Sequence, residues 1–139
     1  MSFTTLEVLG DGPKTTRRTV LVVDDKRPAR RLMNLILRHR YRILEAHDPG
    51  SALALLDAER VDLVLLDLHL PPTLDTPQEG LWVYSRIRER SPVTPVVVVT
   101  GNDDVRVREV LLAGGVRGFL AKPFDAAELV KLVRRLLEA

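Results

Sequence analysis

The sequence predicts an α/β protein with five parallel strands in one sheet and helices packed on both of its faces. From Thr19 onward, short apolar runs alternate with longer amphipathic stretches, as expected for repeated βα units around a buried parallel sheet. The length of 139 residues suits one domain. A hydrophobic content of 45% and a net charge of +2 are ordinary for a globular protein.

Five runs are predicted as strands because each is rich in β-branched residues or leucine and is too short for an amphipathic helix. They are Thr19–Val23, Arg42–Ala46, Asp62–Leu66, Val96–Val99 and Gly118–Ala121.

Five helices are predicted from apolar residues at helical spacing and from N-terminal caps. Asp48 before Pro49 is a capping carboxylate followed by proline at the first helical position, and Asp125 with Glu128 forms a variant of the capping box. The apolar stripes, one for each helix, are Leu32, Leu35 and Ile36; Leu53, Leu55 and Leu56; Leu81, Val83, Tyr84 and Ile87; Val107, Val110 and Leu111; and Leu129, Leu132, Val133 and Leu136.

Residues 1–18 contain glycines, a proline and little apolar periodicity, so we expect a flexible N-terminal extension ahead of a domain formed by residues 19–139. The one long irregular connection predicted within that domain runs from Leu68 to Glu79.

Composition excludes several classes of function. The chain has no cysteine, which rules out disulfide frameworks, thiolate metal sites and thiol nucleophiles. No apolar run is long enough to span a membrane and Met1–Asp11 lacks the features of a signal peptide, so we expect a cytoplasmic protein with no membrane contact. The near-neutral charge gives no reason to expect direct binding to nucleic acid.

Polar side chains stand where the predicted strands end. Asp24 and Asp25 follow the first strand, Asp67 the third, Thr100 the fourth and Lys122 the fifth. In a parallel sheet of strand order 2-1-3-4-5, the first and third strands are neighbours. The strand order reverses between them, and ligands of such sheets bind beyond the carboxyl ends of the strands at that point. We therefore expect the three carboxylates to converge there, with Thr100 and Lys122 approaching from the other side.

These residue types are suited to phosphoryl transfer. Three adjacent carboxylates repel one another unless a hard divalent cation such as Mg²⁺ lies among their oxygens. A transferring phosphoryl group spreads negative charge over its oxygens, which a metal ion, the Lys122 ammonium and the Thr100 hydroxyl are suited to balance. One carboxylate can then act as the nucleophile and form an aspartyl phosphate.

Four segments, taken in order, resemble the receiver domain of bacterial two-component response regulators, and the resemblance extends over Thr19–Ala139. It implies the doubly wound, flavodoxin-like fold of that family. The segments are Val20–Asp25 (VLVVDD), Leu65–Leu68 (LLDL) with Pro71, Val99–Gly101 (VTG) and Lys122–Phe124 (KPF).

The resemblance implies roles for the acidic residues. Asp67 corresponds to the phospho-acceptor. Asp25, Asp67 and the backbone carbonyl of His69 correspond to direct Mg²⁺ ligands, and Asp24 to an acidic partner that holds a metal-bound water.

It also implies roles on the other side of the site. Lys122 corresponds to the lysine that contacts the phosphoryl group. Thr100 corresponds to the switch hydroxyl that moves toward the phosphoryl oxygen, and Phe119 to the aromatic residue that rotates with it. The family's Lys-Pro bond is cis, which implies a structural role for Pro123 in aiming Lys122.

By this resemblance, a sensor histidine kinase or phosphotransfer protein donates a phosphoryl group from phosphohistidine to Asp67, and the added charge biases a two-state surface. That surface comprises residues near Asp103 to Ala113, Arg117 to Ala121 and Asp125 to Glu138. We expect output through a downstream effector protein, an effector domain outside these residues, or a phosphorylation-dependent homodimer. The only catalysis implied is the domain's own phosphorylation and slow autodephosphorylation, so we do not expect an enzyme in the usual sense.

Two other functions remain open from the residues alone. An aspartate-nucleophile phosphatase of the haloacid dehalogenase type also combines Asp and Mg²⁺ on an α/β sheet, but its first strand carries D-x-D-x-T, and Val22–Lys26 here reads VVDDK. An FMN-binding flavodoxin-like domain needs a Ser/Thr/Gly-rich phosphate loop after the first strand, where this chain has Asp24–Arg27.

Six arginines, including Arg30 and Arg31, cluster around the first predicted helix. We interpret them as a solvated face or as part of a docking surface for a kinase's helical phosphotransfer domain. The docking hypothesis predicts that charge reversal at Arg30 and Arg31 slows transfer from the kinase but not from acetyl phosphate.

The connection Leu70–Gly80 is longer than the corresponding loop of the family, and its prolines make it stiff. We hypothesise that it forms a lip over the acceptor site. The alternative is a tolerated surface insertion.

Overall fold

The computed structural model describes residues 17–101 and 104–138, so most of the predicted N-terminal extension, and also Asp103, lie outside the described residues. Strands and helices alternate along the described chain. The strands are β1 Thr19–Val23, β2 Arg42–Ala46, β3 Leu63–Leu66, β4 Val96–Thr100 and β5 Gly118–Ala121. The helices are α1 Arg27–Leu37, α2 Pro49–Ala58, α3 Gln78–Arg90, α4 Val105–Ala113 and α5 Ala126–Glu138.

The five strands form one sheet in the order β2–β1–β3–β4–β5, and every pairing is parallel. Val23 pairs with both Ala46 and Leu66, and Thr100 pairs with Ala121. The carboxyl ends of the strands therefore meet at one edge. The predicted fold class and strand order are confirmed.

Successive residues of each strand point to opposite faces of the sheet, and each face has its own core. Val20 and Val22 of β1 lie in the core covered by α1 and α5, whereas Leu21 and Val23 lie in the core covered by α2, α3 and α4. All four of these side chains are almost completely inaccessible to solvent. Because both faces are covered, the inner strands β1, β3 and β4 carry apolar residues at consecutive positions.

The apolar stripe predicted for α1 is wrong at Leu32 and Leu35, whereas its third residue, Ile36, packs against the core. Leu32 and Leu35 are 48% and 50% exposed, whereas Met33 and Leu37 are buried against the sheet. The helix carries two series of apolar residues, one through Leu32 and one through Met33. Consecutive residues lie about 100° apart around a helix axis, so the two series lie on different faces. The series through Ala29, Met33 and Leu37 faces the core.

The other predictions hold with local differences. The stripes of α3 and α5 are buried or half-buried, but Val110 of α4 is 66% exposed and Leu111 is the buried residue there. Asp62 precedes β3 instead of beginning it, and there its Oδ2 accepts a hydrogen bond from the Thr19 N–H at 2.8 Å.

The predicted caps form. Asp48 caps α2 in a full capping box with Ser51: its Oδ1 accepts from the Ser51 N–H at 2.8 Å, and Ser51 Oγ accepts from the Asp48 N–H at 3.2 Å. At the start of α5, Glu128 Oε1 accepts from the Asp125 N–H at 3.0 Å and Asp125 Oδ1 accepts from the Ala127 N–H at 3.2 Å.

We expect Asp48→Ala to lower the free energy of unfolding by about 1 kcal/mol at pH 7, the usual worth of an N-terminal cap. The hydrogen bond from the Ser51 N–H holds the pKa of Asp48 below its ordinary value. A carboxyl whose pKa is lower in the folded state contributes stability above its unfolded pKa and loses that contribution as the pH falls through its folded pKa. Urea unfolding of both proteins from pH 7 to pH 2 should therefore show the difference shrinking at acid pH.

Asp48→Asn is the matched control, since asparagine caps a helix well but does not titrate. We expect it to stay close to the wild type at pH 7. An equal loss for Asp48→Asn and Asp48→Ala would contradict the role given to the hydrogen bond.

Among residues 17–101 and 104–138, we find no helix with the length and apolar character needed to cross a bilayer.

Candidate functional site

Three carboxylates meet at the carboxyl ends of β1 and β3, as predicted. Asp24, Asp25 and Asp67 each offer one carboxylate oxygen, and these three atoms all lie within 4.8 Å of one another. Asp24 is fully buried and Asp67 is only 6% exposed. They come together because β1 and β3 are neighbours in register, so the residues after Val23 and Leu66 leave the sheet side by side.

Asp24 is held through each of its polar groups. Its N–H donates to the Ala46 carbonyl at 3.0 Å, and its Oδ1 accepts from the Lys26 N–H at 2.9 Å. Its Oδ2 accepts from Lys122 Nζ at 2.5 Å, and its carbonyl oxygen accepts from Arg30 Nη1 at 2.8 Å. These four hydrogen bonds fix the position of Asp24 and satisfy its buried polar groups.

Lys122 supplies the positive charge that the cluster needs. Its Nζ donates to Asp24 Oδ2 and, at 3.0 Å, to Asp67 Oδ2, and its backbone N–H donates to the Thr100 carbonyl at 3.0 Å. Burial lowers the pKa of Lys122, but the hydrogen bonds and charges of Asp24 and Asp67 outweigh burial and raise that pKa above its ordinary value. The ammonium is therefore charged at neutral pH. The peptide bond from Lys122 to Pro123 is cis, as the resemblance implied.

Asp25 has a carboxylate oxygen that no described residue hydrogen-bonds. That oxygen, Oδ1, is buried, and Lys26 Nζ lies 3.9 Å from it. A buried carboxylate oxygen without a donor is unfavourable unless a ligand satisfies it. The three clustered carboxylates face the Lys122 ammonium and the exposed Lys26 ammonium, so the cluster still carries more negative than positive charge. This donor set fits a hard divalent cation.

Asp67 is oriented from two sides. Its Oδ1 accepts from the His69 N–H at 3.0 Å and its Oδ2 accepts from Lys122 Nζ. The His69 ring lies close as well, with Nδ1 3.9 Å from Asp67 Oδ1. The role predicted for the His69 carbonyl stays a prediction.

Thr100 and Phe119 share a small cavity beside the acidic cluster. The cavity lies between the loop after β3 and α4, and His69 and Pro77 also line it. The Arg108 guanidinium stands over the Phe119 ring, 4.8 Å from its centroid. This is a cation–π contact, which holds the aromatic side chain at the cavity. The two residues predicted as the switch pair therefore line one cavity together with His69, and their switch roles stay predictions.

Sequence reasoning missed the part played by Arg30. Its side chain is only 15% exposed and forms an ion pair with Glu45 at 3.2 Å, so its interpretation as a solvated residue is wrong. The physical reason is the rotation of α1: the face that buries Met33 also turns Arg30 and Asn34 toward β2. The spacing of Arg30 from Met33 and Leu37 was the available signal. Arg31 is exposed. The docking hypothesis for Arg30 stays a prediction.

The long loop after β3 is anchored next to Asp67. Leu70 is fully buried, and the Gly80 N–H donates to the Leu68 carbonyl at 3.0 Å. Thr73 Oγ1 donates to Glu79 Oε2 at 3.0 Å, which closes the loop on the start of α3. The hypothesis of a lip over the acceptor site stays a prediction.

An acidic triad and a lysine at the carboxyl edge of a 2-1-3-4-5 parallel sheet define a receiver-type protein. The family model described as "Response regulator receiver domain" matches residues 20–134. The chain belongs to the response regulator receiver family.

Named relatives agree with this membership. The chain is 36% identical over 120 residues to the probable transcriptional regulatory protein TcrX of Mycobacterium tuberculosis, covering 86% of this chain and 49% of that protein. It is 34% identical over 125 residues to the transcriptional regulatory protein ResD of Bacillus subtilis, covering 89% of this chain and 50% of that protein. The chain thus spans about half the length of these curated relatives.

Among solved structures, the chemotaxis protein CheY4 of Vibrio cholerae superposes with a TM-score of 0.78 at 27% identity. The match covers 88% of this chain and 100% of the CheY4 chain. The haloacid dehalogenase alternative is not supported, because the family model and these relatives are receivers and response regulators.

Proposed function

We propose that this chain is a phospho-acceptor switch in which Asp67 receives a phosphoryl group from the phosphohistidine of a sensor histidine kinase or a phosphotransfer protein. The observation that supports this most directly is the position of Lys122 Nζ, which donates to both Asp24 Oδ2 and Asp67 Oδ2. A buried carboxylate held against an ammonium, beside two further carboxylates, has what is needed for nucleophilic attack on phosphorus.

Asp24, Asp25, Asp67 and the carbonyl of His69 are the residues that would hold Mg²⁺. Bound there, Mg²⁺ supplies positive charge beside the oxygens that carry the charge of the transferring group. Within this set, Asp25 has the oxygen without a hydrogen bond among the described residues, and Asp24 is already bound by Lys26, Arg30 and Lys122.

In the transfer step, an Asp67 carboxylate oxygen attacks phosphorus as the P–N bond to the donor imidazole breaks. The bonding electron pair goes to the imidazole nitrogen, which takes up a proton from solvent, and Asp67 becomes an acyl phosphate. Lys122 keeps its proton, which its raised pKa favours, and passes its hydrogen bond from the Asp67 carboxylate to a phosphoryl oxygen. Hydrolysis of this acyl phosphate is the only other reaction proposed.

Output follows from Thr100 and Phe119. Thr100 turns its hydroxyl toward the new phosphoryl oxygens, and Phe119, which lies under the Arg108 guanidinium, moves into the space beside Thr100. These movements change the surface formed by α4, β5 and α5. We propose that this surface contacts an effector protein, an effector domain beyond these residues, or a second copy of the chain.

The kinase side of the interaction is assigned to α1. Leu32 and Leu35 are half-exposed on that helix and Arg31 is exposed with them, so an apolar strip with a basic neighbour lies on the helix that follows Asp25 in the chain. We still expect charge reversal at Arg31 to slow transfer from the kinase and to leave labelling by acetyl phosphate unchanged. A domain that begins at Thr19, the cytoplasmic location and the absence of turnover on other substrates are also parts of this proposal.

The proposal is tested with acetyl phosphate and beryllofluoride in the presence of Mg²⁺. We expect the wild type to form a phosphoryl adduct, measured by intact-protein mass spectrometry, and to show beryllofluoride-induced changes in its amide NMR spectrum. Asp67→Asn should lose both responses, because an amide is not a nucleophile for phosphorus under these conditions.

Asp57→Asn is the matched control, since Asp57 is an exposed carboxylate on α2 that pairs with Arg90 away from the cluster. We expect it to behave as the wild type. An unlabelled wild type, or an Asp67→Asn variant labelled as fully as the control, would contradict the assignment of Asp67.

A further inference from the structure

We infer that Arg30 is a positioning residue whose guanidinium fixes the peptide between Asp24 and Asp25 and so aims the Asp25 carboxylate at the cation site. The inference rests on the proposed function, because the cation it concerns is the one that the acidic cluster would hold.

The contact is made to the main chain. Arg30 Nη1 donates to the carbonyl oxygen of Asp24 at 2.8 Å, within hydrogen-bond distance for a charged donor. The Arg30 side chain is 15% exposed, so water competes little for this bond. The largely buried Arg30 guanidinium, on α1, therefore contacts the main chain at the end of β1, directly before Asp25.

This bond acts on Asp25 because a peptide unit is planar. The Asp24 carbonyl and the Asp25 N–H belong to one rigid group, so fixing the carbonyl oxygen fixes the direction in which the chain enters Asp25. Asp24 is already held by Ala46, Lys26 and Lys122. Asp25 Oδ1 has no hydrogen bond from a described residue, so its direction depends on its backbone.

The guanidinium is itself held in place. Arg30 Nε donates to Glu45 Oε1 at 3.2 Å, and the other oxygen of that carboxylate, Oε2, accepts from Asn34 Nδ2 at 2.7 Å. The planar fork of arginine reaches Glu45 and the Asp24 carbonyl with different nitrogens. A lysine has one nitrogen and cannot reproduce that geometry.

Position and charge predict opposite effects on metal binding. Arg30 is a cation close to a cation site, so removing its charge alone would strengthen Mg²⁺ binding by reducing repulsion. Loss of the anchor would weaken Mg²⁺ binding, because Asp25 would have to be ordered when the metal binds. The sign of the change in affinity therefore separates the two roles.

The experiment measures the Mg²⁺ dissociation constant by isothermal titration calorimetry for the wild type, Arg30→Met, Arg30→Lys and Arg31→Met. Arg31→Met removes the same charge from the neighbouring, exposed position. We expect Arg30→Met to weaken Mg²⁺ binding about tenfold, the low end of the effect of removing an outer-shell partner. Arg31→Met should change the constant by less than about twofold, because an exposed charge is screened by salt.

A second readout needs no metal. We expect faster hydrogen exchange at the Lys26 amide, which donates to Asp24 Oδ1, in metal-free Arg30→Met and Arg30→Lys, and wild-type exchange in Arg31→Met. Arg30→Lys retains the charge, so it gives the same test should Arg30→Met fail to fold.

Weaker Mg²⁺ binding in both Arg30 variants, with faster Lys26 exchange, supports the inference. Unchanged or stronger binding in the Arg30 variants, or unchanged Lys26 exchange, overturns it. A wild type that binds no Mg²⁺ overturns the proposed cation site, and the Lys26 exchange then still shows whether Arg30 holds the Asp24–Asp25 peptide.

Discussion

Gly80→Ala is expected to lower the free energy of unfolding by about 3 kcal/mol or more, at the upper end of the cost of overpacking. A Cβ at position 80 would lie 2.2 Å from Leu68 Cα and 2.5 Å from the Leu68 carbonyl oxygen. Both atoms belong to the backbone, so no side chain can rotate away, and α3 would have to move off the loop. Urea unfolding followed by circular dichroism measures the loss.

Gly50→Ala is the matched control for that substitution. Gly50 also lies in a helix, but the nearest atom to its added Cβ is Asp48 Oδ1 at 3.8 Å, an ordinary contact. We expect this variant to stay within about 0.5 kcal/mol of the wild type, because Gly50 is exposed in the first turn of α2 and its added Cβ meets no close atom. Destabilisation of similar size at both positions would show that the contact with Leu68 is not the cause.

The same contact bears on function. Leu68 follows Asp67 directly, and the Gly80 N–H binds the Leu68 carbonyl. The first turn of α3 therefore buttresses the backbone of the proposed acceptor. A folded Gly80→Ala protein at low temperature should consequently label more slowly with acetyl phosphate than Gly50→Ala does.

Lys122→Met is expected to lower the rate of labelling by acetyl phosphate by about a hundredfold, the usual effect of removing one donor to a charged transition state. The same variant should bind Mg²⁺ more tightly, because the ammonium that now bonds to Asp24 and Asp67 competes with a cation for those oxygens. Labelling kinetics by mass spectrometry and calorimetric titration with Mg²⁺ measure the two effects.

Lys131→Met is the control, since Lys131 is an exposed lysine on α5 outside the acidic cluster. We expect wild-type labelling and wild-type Mg²⁺ binding from it. A Lys122→Met protein that both labels at the wild-type rate and binds Mg²⁺ no more tightly would contradict the roles proposed for this ammonium.

Several features of this protein could be predicted from residue patterns alone. Strand ends were predictable because apolar runs covered on both faces stop where polar residues begin, as at Val23 before Asp24 and at Leu66 before Asp67. The caps at Asp48 and Asp125 were predictable because their hydrogen bonds join residues close together in the chain. The meeting of Asp24, Asp25 and Asp67 followed from the strand order.

Other features depend on distances that no local pattern contains. The rotation of α1 selects Met33 over Leu32 for the core, since both series are apolar and only packing against the sheet distinguishes them. The requirement for glycine at position 80 arises from Leu68, on the far side of a long loop. Neither contact could be deduced from spacing.

The sequence by itself determined the class of fold, the order of its elements and the set of acidic, hydroxyl and lysine residues at the strand ends, because these follow from periodicity and from the geometry of parallel sheets. Tertiary structure alone decided how each group is held: Lys122 bridges Asp24 and Asp67, Arg30 binds a main-chain oxygen, and Arg108 covers Phe119. Such contacts join elements far apart in the chain, so they depend on helix rotation and side-chain direction, which hydrophobic periodicity leaves undetermined.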